Sequence, residues 1–147
     1  SSDLTTSTCE ILAIAKKKTN TKDSLKNTKK VILLDSISDP GNLGTIIRSA
    51  VAFNIDTIIL TENTVDLYNP KVLRATQGMF YHLNIITRNG MEVLLLLQNI
   101  GIPVYGTDVN GGVDVRTLLP EEKEKFASFM KLYKKGLCVE KKATEVL

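Results

Sequence analysis

Asp39-Pro40-Gly41-Asn42-Leu43-Gly44-Thr45-Ile46-Ile47-Arg48-Ser49-Ala50 is the stretch that decides the fold of this chain. An apolar strand pattern at 31–35 precedes it, and a second strand pattern at 56–60 follows it. The Pro-Gly pair is typical of a tight turn, and residues 43–53 have the apolar spacing of a helix. The sequence therefore predicts a strand–turn–helix–strand unit, and in open α/β sheets such turns lie where ligands bind.

Two polar side chains in this stretch are candidates for chemistry. Arg48 falls on the same side of the predicted helix as Thr45, away from its apolar positions, so the helix would present a permanent cation at the mouth of the sheet. Asn42 lies nearby in the turn, where capping its own turn is its structural interpretation. An ordinary turn followed by a surface arginine explains the same residues, because short motifs often match by chance.

Strand and helix patterns alternate along the rest of the chain. This alternation predicts a parallel sheet with right-handed crossovers, and the continuous apolar strands indicate that both faces of the sheet are covered. Asn69 and Pro70 are typical of the start of a second helix. The predicted elements are strands at 31–35, 56–60, 81–87, 102–107 and 126–130, with helices at 43–53, 70–78 and 91–99.

Composition indicates one soluble domain. The chain has 147 residues, 43% of them hydrophobic and 24% charged, which is ordinary for a single globular core. A net charge of +3 permits phosphate contacts without requiring them. No apolar run is long enough to span a membrane and no signal peptide is evident, so a cytoplasmic protein is predicted. Cys9, Cys138 and a single His offer no pattern for a metal site.

Other polar residues have a structural and a functional interpretation. Lys71 and Arg74 share a face of the second helix, and this face is either an ordinary exposed surface or a phosphate clamp. Residues 16–30 contain seven lysines without apolar periodicity, which indicates a solvated linker or an RNA-backbone contact. His82 lies inside a predicted apolar strand, so we interpret it as a core residue and not as a catalytic base.

The order D-P-G-N-L-G-T-I-I-R-S-A resembles the first motif of the SpoU (TrmH-type) RNA 2'-O-ribose methyltransferases, members of the SPOUT superfamily of knotted enzymes. Residues 68–78, Y-N-P-K-V-L-R-A-T-Q-G, are similar to the next helix of the same family. The resemblance implies a mainly parallel, Rossmann-like sheet. It also favours a buried strand at 126–130, where the pattern alone slightly favours a helix.

The resemblance implies transfer of a methyl group from S-adenosylmethionine to a ribose 2'-hydroxyl of structured RNA, with rRNA favoured over tRNA, in a homodimer. Arg48 would assist deprotonation of the hydroxyl, and Asn42 would orient the ribose or hold Arg48. Gly106, Thr107 and Asp108, at the end of a predicted strand, would border the methyl donor.

The same resemblance divides the chain. Residues 1–15 would be the remnant of an N-terminal RNA-binding domain, residues 16–30 a lysine-rich linker, and residues 31–147 a methyltransferase domain that is truncated at its C-terminus. Lys71 and Arg74 would bind RNA phosphates.

The resemblance weakens after residue 130. The family continues with G-N-E-G-x-G-L, I-P-M and S-L-N segments, which form the trefoil knot and most of the donor pocket. Here Gly136 and Leu137 match, Tyr133 stands in place of the glutamate, and the later segments are absent. An incomplete knot and negligible binding of the methyl donor by this chain are therefore expected.

Two alternatives to a methyltransferase remain open. A non-catalytic RNA-binding remnant of such an enzyme is the first. A nucleotide-binding α/β module is the second, and it ranks last because the turn lacks G-x-G-x-x-G and G-x-x-x-x-G-K-[ST].

Overall fold

A computed structural model describes residues 28–107, 124–133 and 136–138, together with Ile14, Lys16, Lys17, Leu25 and Thr117. Residues 131–133 and 136–138 are described by their backbone. The predictions for Asp108, for the N-terminal remnant up to residue 13 and for most of the linker lie outside the described residues.

Strands and helices alternate in the described part as the sequence predicts. The strands are β1 (Lys30–Asp35), β2 (Thr57–Leu60), β3 (Asn84–Thr87), β4 (Val104–Gly106), β5 (Phe126–Tyr133) and β6 (Gly136–Cys138). The helices are α1 (Pro40–Ala52), α2 (Pro70–Thr76), a 3-10 helix (Met79–His82) and α3 (Gly90–Asn99).

Five strands form a parallel sheet in the order β3-β2-β1-β5-β4. The strands β1 and β5 pair along Lys30↔Phe126 to Asp35↔Lys131. The predicted parallel sheet is confirmed, including a strand and not a helix at 126–130. The strand β5 extends past the predicted end to Tyr133, which pairs with Gly136 of the antiparallel β6.

The sheet separates two apolar clusters because successive side chains of a strand point to opposite faces. Leu34 and Ile58 pack with α1, α2 and the 3-10 helix on one face. Leu33 and Ile59 pack with α3 on the other. Leu25, within the predicted linker, is buried in the second cluster. Both faces of the central strands are therefore covered, as their continuous apolar sequences predict.

The boundaries of α1 follow from its terminal residues. Asp39 is the N-cap, and its carboxylate accepts a hydrogen bond of 2.7 Å from the backbone N–H of Asn42. Pro40 occupies the first turn, three residues before the predicted start of the helix at 43. Asn54, with φ of 52°, lies just beyond the C-cap in the left-handed region, which asparagine adopts more readily than most residues.

The helices α1 and α2 touch through their backbones at Gly44. A Cβ atom on Gly44 would lie 2.4 Å from the Cβ of Ala75 and 2.7 Å from its carbonyl carbon. Real Cβ atoms do not approach that closely, so only glycine fits without moving one helix. Gly44 thus sets the distance between the two helices that bear the candidate cations.

The prediction for residues 81–87 was partly wrong. Tyr81 and His82 belong to the 3-10 helix, and β3 begins at Asn84. His82 is exposed and not a core residue. The chain must turn after Gly78, whose φ is 82°, before it can enter the sheet, and apolar composition alone does not reveal this turn. The strand β4 is also shorter than the predicted 102–107.

Replacing Gly44 by alanine should destabilise the fold by about 1–3 kcal/mol through overpacking against α2. The sign is informative, because Gly→Ala inside a helix otherwise stabilises by about 1 kcal/mol. Gly41→Ala is the matched control, since its Cβ would meet only the Asp39 carboxylate, at 3.1 Å. Urea unfolding midpoints measure both, and a Gly44→Ala protein as stable as wild type would contradict the close contact.

Asp39→Ala should lower the free energy of unfolding by about 1 kcal/mol, because it removes the side-chain cap of α1. Asn42→Ala should change it by less than about 0.5 kcal/mol, since the capping oxygen belongs to Asp39. Thermal unfolding of the two variants makes the comparison. A larger loss for Asn42→Ala would mean that Asn42, and not Asp39, arranges the turn.

Candidate functional site

The carboxyl edge of the sheet gathers polar side chains from several strands. The chain proceeds from β1 to β2 and β3 on one side, and then crosses to β4, with β5 between β4 and β1. This reversal creates a topological switch point beside β1, the position where open α/β sheets bind ligands. A cavity of about 280 Å³ opens there, lined by Asp35, Thr61, Glu62, Asn63, Asn89, Gly90, Met91, Leu94 and Phe129.

Hydrogen bonds hold the end of β1 within this cavity. The Thr61 hydroxyl donates to Asp35 Oδ1 at 2.8 Å, and the Ser36 hydroxyl donates to the same oxygen at 3.2 Å. Ser36 has a φ of 59°, a conformation that non-glycine residues seldom adopt. The network lies on the α3 face of the sheet, because Leu33 and Ile59, two residues before Asp35 and Thr61, belong to that cluster.

Arg48 lies on the opposite face, on α1. Its Nη2 donates to Thr45 Oγ1 at 3.2 Å, which directs the guanidinium along the outer surface of the helix. Because α1 begins at Pro40, Arg48 is in the third turn, about 12 Å along the axis from the start of the helix. The sequence placed Arg48 one turn into a helix starting at 43, so the structure moves it farther from the strand ends.

Asn42 remains at the edge, exposed in the first turn of α1. A rise of 1.5 Å per residue separates it from Arg48 by about 9 Å along the helix. Thr45 lies halfway between them. The structure therefore brings Asn42 and Arg48 onto one exposed helix surface, but it does not place their side chains in contact among the described residues.

Gly106 and Thr107 lie at the end of β4. Both the backbone N–H and the hydroxyl of Thr107 donate to the carbonyl of Phe129, at 3.1 and 3.3 Å. This strand end is therefore held firmly against β5. The strand β5 separates β4 from β1, which puts Gly106 and Thr107 about 10 Å across the sheet from the strand that leads to α1.

Lys71 and Arg74 are exposed on α2, and α2 packs against α1. The backbone N–H of Lys71 donates to Asn69 Oδ1 at 2.9 Å, which confirms Asn69 as the N-cap. The cations Arg48, Lys71 and Arg74 are thus carried by the two helices on one face of the sheet. The carboxylates of Asp35 and Glu62 line the cavity instead.

Two residues that position cations were not predicted from the sequence to do so. Thr45 accepts the hydrogen bond that positions Arg48, and its i, i+3 spacing was the available signal. Tyr68 makes a cation–π contact, with Lys17 Nζ 4.3 Å from its ring centroid. No local pattern reveals that contact, because the two residues are far apart in sequence.

The described residues contain no cluster of three His, Cys, Asp or Glu side chains arranged to hold a metal ion. None of the helices in the described part is both long and apolar enough to cross a bilayer.

The profile of the SpoU rRNA Methylase family matches residues 29–133. The chain is 37% identical over 100 residues to the 23S rRNA (guanosine(2553)-2'-O)-methyltransferase RlmP of Bacillus subtilis (strain 168), covering 68% of this chain and 40% of that protein. It is 42% identical over 77 residues to the mitochondrial rRNA methyltransferase 3 of Homo sapiens, covering 52% of this chain and 18% of that protein.

Solved structures agree with the sequence relatives. An rRNA methyltransferase from Sinorhizobium meliloti, crystallised with AdoMet bound, superposes with a TM-score of 0.66 at 32% identity, covering 74% of this chain and 41% of that one. An RNA methyltransferase of the TrmH family from Porphyromonas gingivalis gives 0.64 at 31% identity, covering 71% and 42%.

This chain spans less than half the length of these relatives. The matched region contains the strand–turn–helix motif, the two cationic helices and the whole parallel sheet. On that evidence, the chain belongs to the SpoU rRNA methylase family.

Proposed function

We propose that this chain transfers a methyl group from S-adenosylmethionine to a ribose 2'-hydroxyl of structured RNA, with rRNA favoured over tRNA. The observation that carries the proposal is the position of Arg48. It is a half-buried cation on α1, hydrogen-bonded to Thr45, in the helix that follows the carboxyl edge of β1. The rRNA methyltransferases among the relatives support the choice of rRNA.

The end of β4 is the proposed border of the methyl-donor site. Gly106 has no side chain to obstruct a ligand, and the two hydrogen bonds from Thr107 to Phe129 keep this edge rigid. These features fit a nucleoside-sized donor lying against the strand end, with Asp108 as a further neighbour. When bound, S-adenosylmethionine supplies an electrophilic methyl group on its sulfonium.

Arg48 is proposed to act on the ribose hydroxyl. A 2'-hydroxyl is a weak nucleophile, so its proton would pass to solvent water as the oxygen–methyl bond forms and the sulfur–methyl bond of the donor breaks to leave a neutral thioether. The guanidinium would stabilise the negative charge that develops on this oxygen, the role of a preorganised donor. Thr45 would keep the guanidinium in position, and Asn42 would orient the ribose from the first turn of the same helix.

In a homodimer, Arg48 of one copy would lie near the donor border of the other, although the two are far apart within one copy. Arg48 faces outward from α1, whereas Gly106 and Thr107 lie across the sheet beyond β5. Exposed small residues that allow close approach surround Arg48 on α1, namely Gly41, Thr45, Ser49 and Ala52, and the exposed ring of Phe53 lies at the C-terminal end of the helix. We therefore infer that α1 of one copy approaches the strand ends of a second copy.

A non-catalytic RNA-binding protein is the second candidate, and one observation favours it. Where the family carries a glycine-rich loop with a glutamate, β5 here continues to Tyr133 and pairs back with β6 from Gly136. Calorimetric titration with S-adenosylmethionine separates the two functions. Binding in the micromolar range supports the methyltransferase, whereas RNA binding without donor binding supports the second candidate.

Arg48→Ala should slow methyl transfer to RNA by about 100- to 1,000-fold while leaving donor affinity nearly unchanged, because the lost group acts on the hydroxyl. Arg48→Lys should restore little activity, since a lysine ammonium lacks the planar fork of arginine. Transfer of tritium from labelled donor gives the rates, and calorimetry gives the affinity. Arg88→Ala is the matched control, and equal rates for Arg48→Ala and wild type would refute the assignment.

Lys71→Ala and Arg74→Ala should each weaken RNA binding across sequences and reduce the slope of log affinity against log salt by about one. Each removes one phosphate contact and the counterion it releases. Fluorescence anisotropy with a labelled RNA hairpin at several salt concentrations measures both quantities. An unchanged slope in both variants would show that this face of α2 does not contact phosphate.

A further inference from the structure

Tyr68 presents a rigid aromatic surface beside the start of α2. Its ring packs partly against the apolar cluster beneath α1 and α2. The turn that leads to it is fixed by Asp66, whose carboxylate accepts from the N–H of Tyr68 at 3.0 Å and whose carbonyl accepts from the N–H of Asn69. The orientation of the ring is therefore set by the fold and does not depend on a ligand.

Lys17 is held over this ring. Its ammonium lies 4.3 Å from the ring centroid, within the distance at which a cation is attracted to an aromatic face. Leu25, farther along the same segment, is buried in the cluster on the other face of the sheet. The lysine-rich segment thus has two described points of attachment to the domain.

The contact brings the lysine of the linker to the cationic face of α2. Tyr68 directly precedes the N-cap Asn69, and Lys71 follows in the first turn of the helix. In sequence, Lys16 adjoins Lys17, and Lys71 and Arg74 follow Tyr68 on α2, against Glu62 and Asp66 in the loop before it. The balance is positive, so the surface complements a polyanion and would repel a cationic partner.

We propose that Lys17 and Tyr68 form a phosphate-binding subsite for the RNA backbone, which extends the cationic face of α2 onto the linker. This inference rests on the proposed function, because RNA is the substrate in both. The ring attracts one side of the ammonium, and the remaining N–H donors of Lys17 are directed to a phosphate. A lysine side chain that is already ordered loses less conformational entropy when the phosphate binds.

The test is a double-mutant cycle in the full 147-residue chain, with a fluorescein-labelled RNA hairpin as the probe. Lys17→Ala should weaken binding about three- to tenfold and lower the salt slope by about one. Tyr68→Leu should weaken binding to a similar extent, and the double variant should bind no worse than the weaker single variant. Tyr68→Phe should bind like wild type, because it keeps the aromatic face.

Lys29→Ala is the matched control, since it removes the same charge from an exposed lysine at the opposite, amino edge of the sheet. It should weaken binding by less than about twofold. Thermal unfolding identifies any loss in Tyr68→Leu that comes from the fold, and the Tyr68→Phe result then decides the role of the ring.

The outcomes separate this inference from the proposed function. Equal effects of Lys17→Ala and Lys29→Ala, or fully additive effects of Lys17→Ala and Tyr68→Leu, overturn the subsite even if methyl transfer occurs. RNA binding that depends on Lys17 and Tyr68 supports the subsite even if the donor does not bind. A wild-type chain with no affinity for the hairpin overturns the subsite and the RNA substrate together.

Discussion

The contact between Gly44 and Ala75 is the constraint on which the candidate site depends. It brings the backbones of α1 and α2 together closely enough to exclude a single methyl group. The proposed catalytic cation Arg48 lies on α1, and the proposed phosphate-binding cations Lys71 and Arg74 lie on α2. Their separation therefore fixes the spacing of Arg48 relative to Lys71 and Arg74, and a change of even 1 Å would displace the proposed catalytic cation from the atoms it must meet.

Much of the fold could be predicted because local and global signals agree. The buried strands β1 and β2 are continuous apolar runs, Asn69 and Pro70 mark the start of α2, and Asn54 marks the end of α1. The strand at 126–130 required the family resemblance, because its own pattern slightly favours a helix. The candidate residues Asn42 and Arg48 came from one motif, and the structure shows the helix surface they share.

The remaining features depend on contacts that a local pattern does not contain. The 3-10 helix before β3 is set by the packing of Met79 and Phe80 under α1, so the apolar run was mistaken for strand. The helix α1 begins at Pro40, three residues before the predicted start, because the side chain of Asp39 supplies its N-cap. The approach of Lys17 to Tyr68 joins residues separated by two strands and a helix, which no periodicity reports.

The position of β5 has a consequence for the order in which the chain can fold. The strand β1 pairs on one edge with β2, which follows it after a single helix. Its other edge pairs with β5, which comes roughly a hundred residues later in the sequence. During synthesis, β1, β2 and β3 can associate while that edge still presents unpaired backbone groups. The last of the five parallel strands to emerge is therefore the one that closes the centre of the sheet, and a nascent chain is exposed to mispairing until it arrives.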